Sequence, residues 1–377
     1  MRPVNTPASI NGDAAILAVD RAVGELRRGR IVGIDVDRHT LLVAAAETLR
    51  GSVLATLCEQ GDVELALAAE RAAALGVEAS AAVCLTLEPA AAATRVMDLA
   101  AAPITPELVA AAAARPRRPA AAAAVAAVAL AKHAGLLPAV VCAAARTVPS
   151  SADVLRVGAA DVGRFERPAD GDLERVSDAR VPLEASEDCE LVVFRDARNG
   201  AEHLAIILGR PDRGEAVRVR MHSSCVTGDL LGSLRCDCGD QLRRAVQQLS
   251  GEGGGVLLYL SQEGRGIGLA SKLRAYRLQD AGLDTLDANN HLGFAADERS
   301  FDMAAQMLRA VGVPRIRLLT SNPWKVKALR AAGIDVVAQE PLHGRVNRHN
   351  ARYLRAKEER AGHLPRDLAA ALEPDAD

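Results

Sequence analysis

Only eight of the 377 side chains are aromatic (one Trp, three Tyr, four Phe), although 49% of the residues are apolar. A core made from this chain must be filled by Ala, Val, Leu and Ile, and side chains of that size suit helices laid on a β-sheet, parallel sheets above all. Length sets the number of cores: one core rarely grows past roughly 250 to 300 residues, so two domains are expected. Charged residues make up 25%, which beside the apolar share is a globular and not a disordered composition. The scarcity of aromatics leaves few platforms for stacking bases, and a net charge of -2 gives no basic field. Nucleic-acid polymers are therefore unexpected as partners, and phosphate must be recognised by local clusters of Lys and Arg. No run reaches the ~18 apolar residues of a spanning helix, and residues 1–17 lack a basic segment followed by an apolar one. No membrane is expected as a partner, and the cytoplasm is the expected location.

Residues 14–145 alternate between helix and strand patterns, with a helix over 14–28, a strand over 31–37 and later helices rich in Ala. Residues 120–134 are nearly all Ala and Val; Ala is the best helix former, and Pro116 and Pro119 mark the start of this helix. Between 145 and 180, Pro149, Ser150, Ser151, Pro168 and Gly171 stand among scattered charges, the composition of a connection. The expected division is an N-terminal domain over 1–145, a linker over 146–175, a second domain over 176–365 and a flexible tail over 366–377. In the second domain 190–195, 203–208 and 216–221 read as strands of an antiparallel meander, separated by Asn199-Gly200 and Asp212-Arg213-Gly214 turns. Helices over 241–249, 269–281 and 323–332 and strands over 255–260, 315–319 and 335–338 complete it. The expected fold class is a two-domain α/β and α+β chain with a mixed sheet and helices in the C-terminal half.

Seven cysteines are an odd number. Cys58, Cys84, Cys142 and Cys189 stand apart, while Cys225, Cys236 and Cys238 crowd together beside Asp229, Arg235 and Asp237. Such spacing indicates a metal site and not a disulfide framework. Three thiolates suit one zinc ion, and a fourth position left to water is the design of a catalytic site. Zinc lowers the pKa of that water to about 7.

The run Gln262-Glu-Gly-Arg-Gly-Ile-Gly268 follows an apolar strand and precedes a helix bearing Lys272 and Arg274. Its glycines let backbone N–H groups approach an oxyanion at a helix N-terminus. It lacks the Gly-Lys-Ser/Thr ending of a P-loop and the spacing of a dinucleotide fingerprint. A second turn, Thr320-Ser-Asn-Pro-Trp-Lys325, again lies between a strand and a helix. Two such turns and a metal cluster in one domain point to a polyphosphate substrate.

At residues 222–239, 258–269, 272–289, 292–299 and 317–325 the chain resembles GTP cyclohydrolase II, and Tyr353-Leu354, Lys357 and Gly362-His363 are similar to that family's closing segment. The resemblance covers roughly 190 residues. It implies zinc on Cys225, Cys236 and Cys238, and a GTP site lined by Arg220, His222, Ser223, Gln241, Glu263, Gly264, Arg265, Thr285, Thr320 and Lys325. Asp297 corresponds to the family's proton acceptor and Arg299 to its proposed nucleophile toward the α-phosphate. A guanidinium has a pKa above about 12, so holding the phosphate charge is the role its chemistry favours. Tyr276 falls where a tyrosine assists hydrolysis of the formyl intermediate. The implied reaction converts GTP with Mg²⁺ into 2,5-diamino-6-(5-phosphoribosylamino)pyrimidin-4-one, formate and pyrophosphate in a homodimer. One departure stands out: Ser224 replaces the family's usual Glu before the first cysteine.

Residues 29–37 and 131–142 resemble segments of 3,4-dihydroxy-2-butanone 4-phosphate synthase, an enzyme often fused ahead of GTP cyclohydrolase II. The family's acidic loop should follow Asp37, yet the chain runs directly through Arg38-His-Thr into Leu41-Leu-Val-Ala. Its Arg-x-Gly-His-Thr-Glu segment is replaced by Ala and Val over 120–127. Without those carboxylates enediol chemistry has no acid, base or Lewis acid, so an inactive N-terminal domain is expected. Two alternatives stay open for the C-terminal half: a decayed nucleotide-binding or scaffolding homologue, and a variant that retains the formyl group.

Overall fold

The computed structural model describes residues 13–88, 93–147, 150, 153–166, 172–251, 253–362 and 364. Pro149, Ser151, Pro168, Gly171, His363 and the expected tail 366–377 lie outside them. The chain divides into two compact units, Met1–Arg167 with Asn289–Ala296, and Pro168–Ala288 with Asp297–Asp377.

The first unit is built on seven strands, β1 (Val32–Val36), β2 (His39–Ala45), β3 (Val63–Leu67), β4 (Val83–Thr86), β5 (Arg117–Pro119), β6 (Ala139–Ala144) and β7 (Leu155–Gly158), in the order β5-β4-β3-β6-β2-β1-β7. Helices Ala14–Arg27, Ala122–His133 and Ala159–Phe165 cover one face. Gly51–Gln60, Ala93–Ala101 and Pro106–Ala113 cover the other. Small residues let the Ala-rich helix approach the sheet closely, and Ala124, Ala127 and Ala131 are fully buried. Every neighbouring pair is antiparallel except β1 and β7, which corrects the parallel sheet that composition suggested. Short connections are the reason: Val36 pairs with His39, so only Asp37 and Arg38 join β1 to β2. Asp37 accordingly takes a left-handed conformation with φ 52°, tolerated by Asp in tight turns. The stretch read as a linker also differs from its composition, because Leu155–Gly158 pairs with β1 and Val162 and Phe165 enter the core.

Asn289–Ala296 is far in sequence from the rest of this unit and is held by a buried cation. Arg71 donates to the carbonyl oxygens of Leu99 (2.8 Å), Asp98 (3.0 Å), Ala102 (2.9 Å) and His291 (2.8 Å). The first three end the helix Ala93–Ala101, where unpaired carbonyls carry partial negative charge.

The second unit is a seven-stranded sheet of β8 (Leu173–Arg180), β9 (Cys189–Asp196), β10 (Glu202–Leu208), β11 (Val217–Ser223), β12 (Gly255–Leu260), β13 (Arg315–Leu319) and β14 (Asp335–Glu340), in the order β14-β13-β11-β12-β10-β9-β8. The meander is β8-β9-β10, and not the three strands expected. β11 instead lies between β12 and β13, parallel to both. Residues 209–216 are too long a connection to force a hairpin, and β8 escaped notice because its side chains are charged and almost all exposed. Helices Asp302–Ala310 and Pro323–Ala331 pack on one face around Val219, Met221 and Leu318, and Cys238–Gly251 packs on the other. Among the described residues no single helix is long and apolar enough to cross a membrane.

Candidate metal and nucleotide site

In sheets with parallel strands, ligands gather beyond the carboxyl ends, and β11, β12 and β13 end side by side. Because side chains alternate along a strand, β11 sends Val219 and Met221 into the core and Arg220 and His222 to the opposite face. The chain then makes a wide helical turn at Val226–Leu230, with Cys225 before it. Cys238 opens the helix Cys238–Gly251. The three sulfur atoms lie within 4.8 Å of one another, and Cys225 Sγ and Cys236 Sγ are 3.8 Å apart. Two thiolates each ~2.3 Å from one tetrahedral ion would stand about 3.8 Å apart, so the spacing suits a thiolate-bound metal. Glycine makes this closeness possible. A Cβ on Gly228 would sit 2.9 Å from Cys236 Sγ and 3.0 Å from Cys225 Sγ, and one on Gly239 would sit 2.0 Å from the Gly228 oxygen.

Lys272 Nζ joins this cluster to the glycine-rich turn. It donates to Cys225 Sγ at 2.9 Å, Thr227 Oγ1 at 2.9 Å and Glu263 Oε1 at 2.8 Å, which uses all three ammonium hydrogens. Hydrogen bonds from Cys236 and Cys238, with Lys272 beside them, hold the Cys225 thiol far below its ordinary pKa, while both other thiols are raised. Glu263 Oε2 accepts from Val226 N at 2.7 Å, and Ser224 Oγ accepts from Gln262 N at 3.1 Å. The thiol loop and the glycine turn are thus stitched together at both ends. Within the turn Gly264, Gly266 and Gly268 have positive φ, and so does Arg265 at 63°. A left-handed non-glycine residue stores strain of the kind found at ligand sites. Glu298 N, donating to the Arg265 oxygen at 3.1 Å, holds it.

Around this core the structure gathers most of the residues singled out from the sequence. Asp297 pairs with Arg299 (Nε to Oδ1 2.8 Å), and Arg299 Nη1 donates to Ser223 Oγ at 3.2 Å. Burial alone would raise the Asp297 pKa and lower that of Arg299, but their mutual attraction outweighs it and keeps both charged. Arg220 donates to Gln241 Oε1 at 2.6 Å and to the Leu319 oxygen at 2.9 Å; burial brings its pKa down to about 10. Gln241 Nε2 in turn donates to Asp237 at 2.7 Å, which also receives Lys357 at 3.1 Å. Thr320 is buried, and its Oγ1 accepts from Asn322 N at 3.0 Å. Lys325 Nζ donates to the Met221 oxygen at 2.8 Å. Burial, then Arg220 and Arg299, hold its pKa well below the lysine range. Crowded cations of this kind favour a polyanion. Tyr276 lies under Arg235, whose guanidinium carbon is 4.7 Å from the ring centroid; burial raises the phenol's pKa. Thr285 is the exception: it opens the short helix Thr285–His291, and among the described residues no hydrogen bond ties its side chain to the cluster.

Sequence reasoning missed Tyr259, hidden inside the apolar run of β12, and left Asp229 as a bystander. Tyr259 Oη donates to Asp229 Oδ2 at 3.0 Å, and His222 Nε2 lies 3.0 Å from Oδ1. His222 is pushed toward neutrality by burial, against the pull of Asp229.

Residues 174–341 match the family model of GTP cyclohydrolase II. A GTP cyclohydrolase-2 of Azospirillum brasilense is 43% identical over 93% of this chain and 95% of its own length. One from Xylella fastidiosa is 48% identical over 63% of this chain and 61% of its own length. Among solved structures, a two-domain 3,4-dihydroxy-2-butanone 4-phosphate synthase from A. baumannii overlaps 86% of this chain and 99% of its own, with a TM-score of 0.32 and 20% identity. With a relative so similar from end to end and the family's own model met over the residues that build this site, the chain belongs to the GTP cyclohydrolase II family.

Proposed function

We propose that this chain hydrolyses GTP to 2,5-diamino-6-(5-phosphoribosylamino)pyrimidin-4-one, formate and pyrophosphate, the first step of riboflavin-type biosynthesis. The observation that carries this reading is Glu263, which binds both Lys272 at the Cys225 sulfur and Val226 of the thiol loop. Through it a metal cluster and a phosphate turn act on one substrate. Cys225, Cys236 and Cys238 would hold one zinc, which would supply Lewis acidity and lower the pKa of a water there. Arg220, His222, Ser223, Gln241, Glu263, Gly264, Arg265, Thr285, Thr320 and Lys325 bind GTP, whose triphosphate arrives with Mg²⁺. Arg299, kept cationic by Asp297, binds the α-phosphate charge as water displaces pyrophosphate, and Asp297 takes up the proton that this water sheds. Tyr276, kept neutral by burial, donates to the formamide oxygen so that formate is released. Ser224 has a structural use of its own on Gln262, so the missing Glu leaves the loop intact.

The N-terminal residues 1–145 carry no synthase activity in this reading: Asp35, the carboxylate before the two-residue turn, is spent on Arg156 at 2.8 Å. The chain works in the cytoplasm as a homodimer. Incubating purified protein with GTP and Mg²⁺ and identifying products by mass tests the main reaction, and ribulose 5-phosphate in a parallel assay should be recovered unchanged. Intact GTP after prolonged incubation points to a binding homologue, and a formylated product to the truncated reaction.

A further inference from the structure

Asp229 accepts three hydrogen bonds with a side chain only 7% exposed. Its donors are Cys225 N at 2.9 Å, Tyr259 Oη at 3.0 Å and His222 Nε2 at 3.0 and 3.1 Å to the two oxygens. An ionised carboxylate has acceptor sites and no hydrogen to give. The imidazole nitrogen facing it must therefore carry the proton. A ring protonated at Nε2 and neutral overall has a bare lone pair at Nδ1. That atom is fully buried and has no partner among the described residues. Tyr259 stacks on the face of the ring, its own ring 5.7 Å away and 16° from parallel. His222 cannot turn over to present Nε2 instead without giving up Asp229.

We propose that Asp229 is a positioning residue for GTP turnover: it locks His222 as the Nε2–H tautomer, so that Nδ1 keeps its lone pair as an acceptor behind the nucleotide site. The inference rests on the GTP reading for its ligand but not for its tautomer. An Asp229→Asn side chain offers a single acceptor oxygen with two lone pairs to three donors, so at least one bond is lost and the tautomer is no longer dictated. Mispairing one buried hydrogen bond of this kind typically costs about 10- to 100-fold in kcat/KM.

Two measurements test the proposal. Nitrogen-15 NMR of histidine-labelled protein without GTP should show His222 protonated at Nε2 in the parent and a mixed or reversed tautomer in Asp229→Asn. Steady-state kinetics should show kcat/KM down by about 10- to 100-fold in Asp229→Asn and in His222→Gln. Because Asp229 acts through His222, the double variant should be no worse than the poorer single, with metal content equal in all four proteins. Multiplicative losses, metal loss from Asp229→Asn, or a parent His222 protonated at Nδ1 would each overturn the proposal. A parent that leaves GTP intact defeats the GTP reading instead, and the NMR result still decides the tautomer.

Discussion

Each unit of this molecule gathers two or more cysteines within reach of a common point, and the two gatherings differ in what surrounds the sulfur. In the first unit Cys84, Cys142 and the Glu64 carboxylate lie within 4.8 Å of one another. The sulfurs come from β4 and β6, with β3 between them. At ~4.8 Å per strand their Cα atoms stand roughly 9 to 10 Å apart, beyond the ~7 Å a disulfide can span. They share the core with Ala66 and Val140, and Arg118 grips Glu64 through Nε (2.8 Å) and Nη2 (2.5 Å). In the second unit the sulfurs come from a loop and a helix start, and Cys225 receives N–H donors from Gly228 at 3.3 Å and Lys272 at 2.9 Å. Proximity of ligand atoms is common to both. In each, a neighbouring thiol holds one cysteine below its ordinary pKa; what separates them is the N–H donors that Gly228 and Lys272 add on Cys225.

The sharpest way to break this comparison is to remove one sulfur from each cluster. Cys236→Ser is expected to lose bound zinc and GTP turnover together, since a chelate of three thiolates cannot keep its affinity with two. Cys84→Ser should keep one zinc per chain and parental turnover. Metal analysis beside a formate assay reads both. Zinc retained in the first variant, or lost from the second, reverses the roles assigned to the clusters.

A smaller effect separates the steps within the active cluster. Removing one positioned acid-base group costs roughly 10²- to 10⁴-fold in the step it serves and spares the others. Tyr276→Phe should therefore accumulate the ring-opened formylated nucleotide, while Arg299→Ala should slow pyrophosphate release. Formate released by the Phe variant at the parent's rate would make Tyr276 a packing residue under Arg235.

Legibility in the sequence followed the same division. The Cys225, Cys236 and Cys238 spacing, the glycine turn and the strands over 255–260 and 315–319 were readable because local chemistry or a continuous apolar run specifies them. The position of β11 was not, because strand order depends on which edge a crossing connection reaches, and residues 209–216 encode no such choice. β8 was hidden by its charge, and Leu155–Gly158 by the prolines and serines around it. Tyr259 and Asp229 are partners across strand and loop, and no spacing in the chain brings residues thirty apart together. Thr285 was carried over by resemblance alone, and among the described residues no hydrogen bond links its side chain to the cluster.

The smallest expected effect comes from Arg118→Ala, which asks whether the Arg118 ion pair or the sheet decides the metal affinity of the first cluster. The Arg118 side chain is 49% exposed and that of Glu64 17%, so solvent screens the pair and its loss should cost less than about 1 kcal/mol of stability. The variant frees the carboxylate but leaves Cys84 and Cys142 fixed to β4 and β6, among the apolar side chains of the core. Zinc should accordingly stay at one per chain, with turnover unchanged and a midpoint in urea close to the parent's. A second zinc in Arg118→Ala, absent from the Arg118→Ala, Cys84→Ser double variant, would show that the clusters differ by one ion pair and not by the rigidity of their scaffolds.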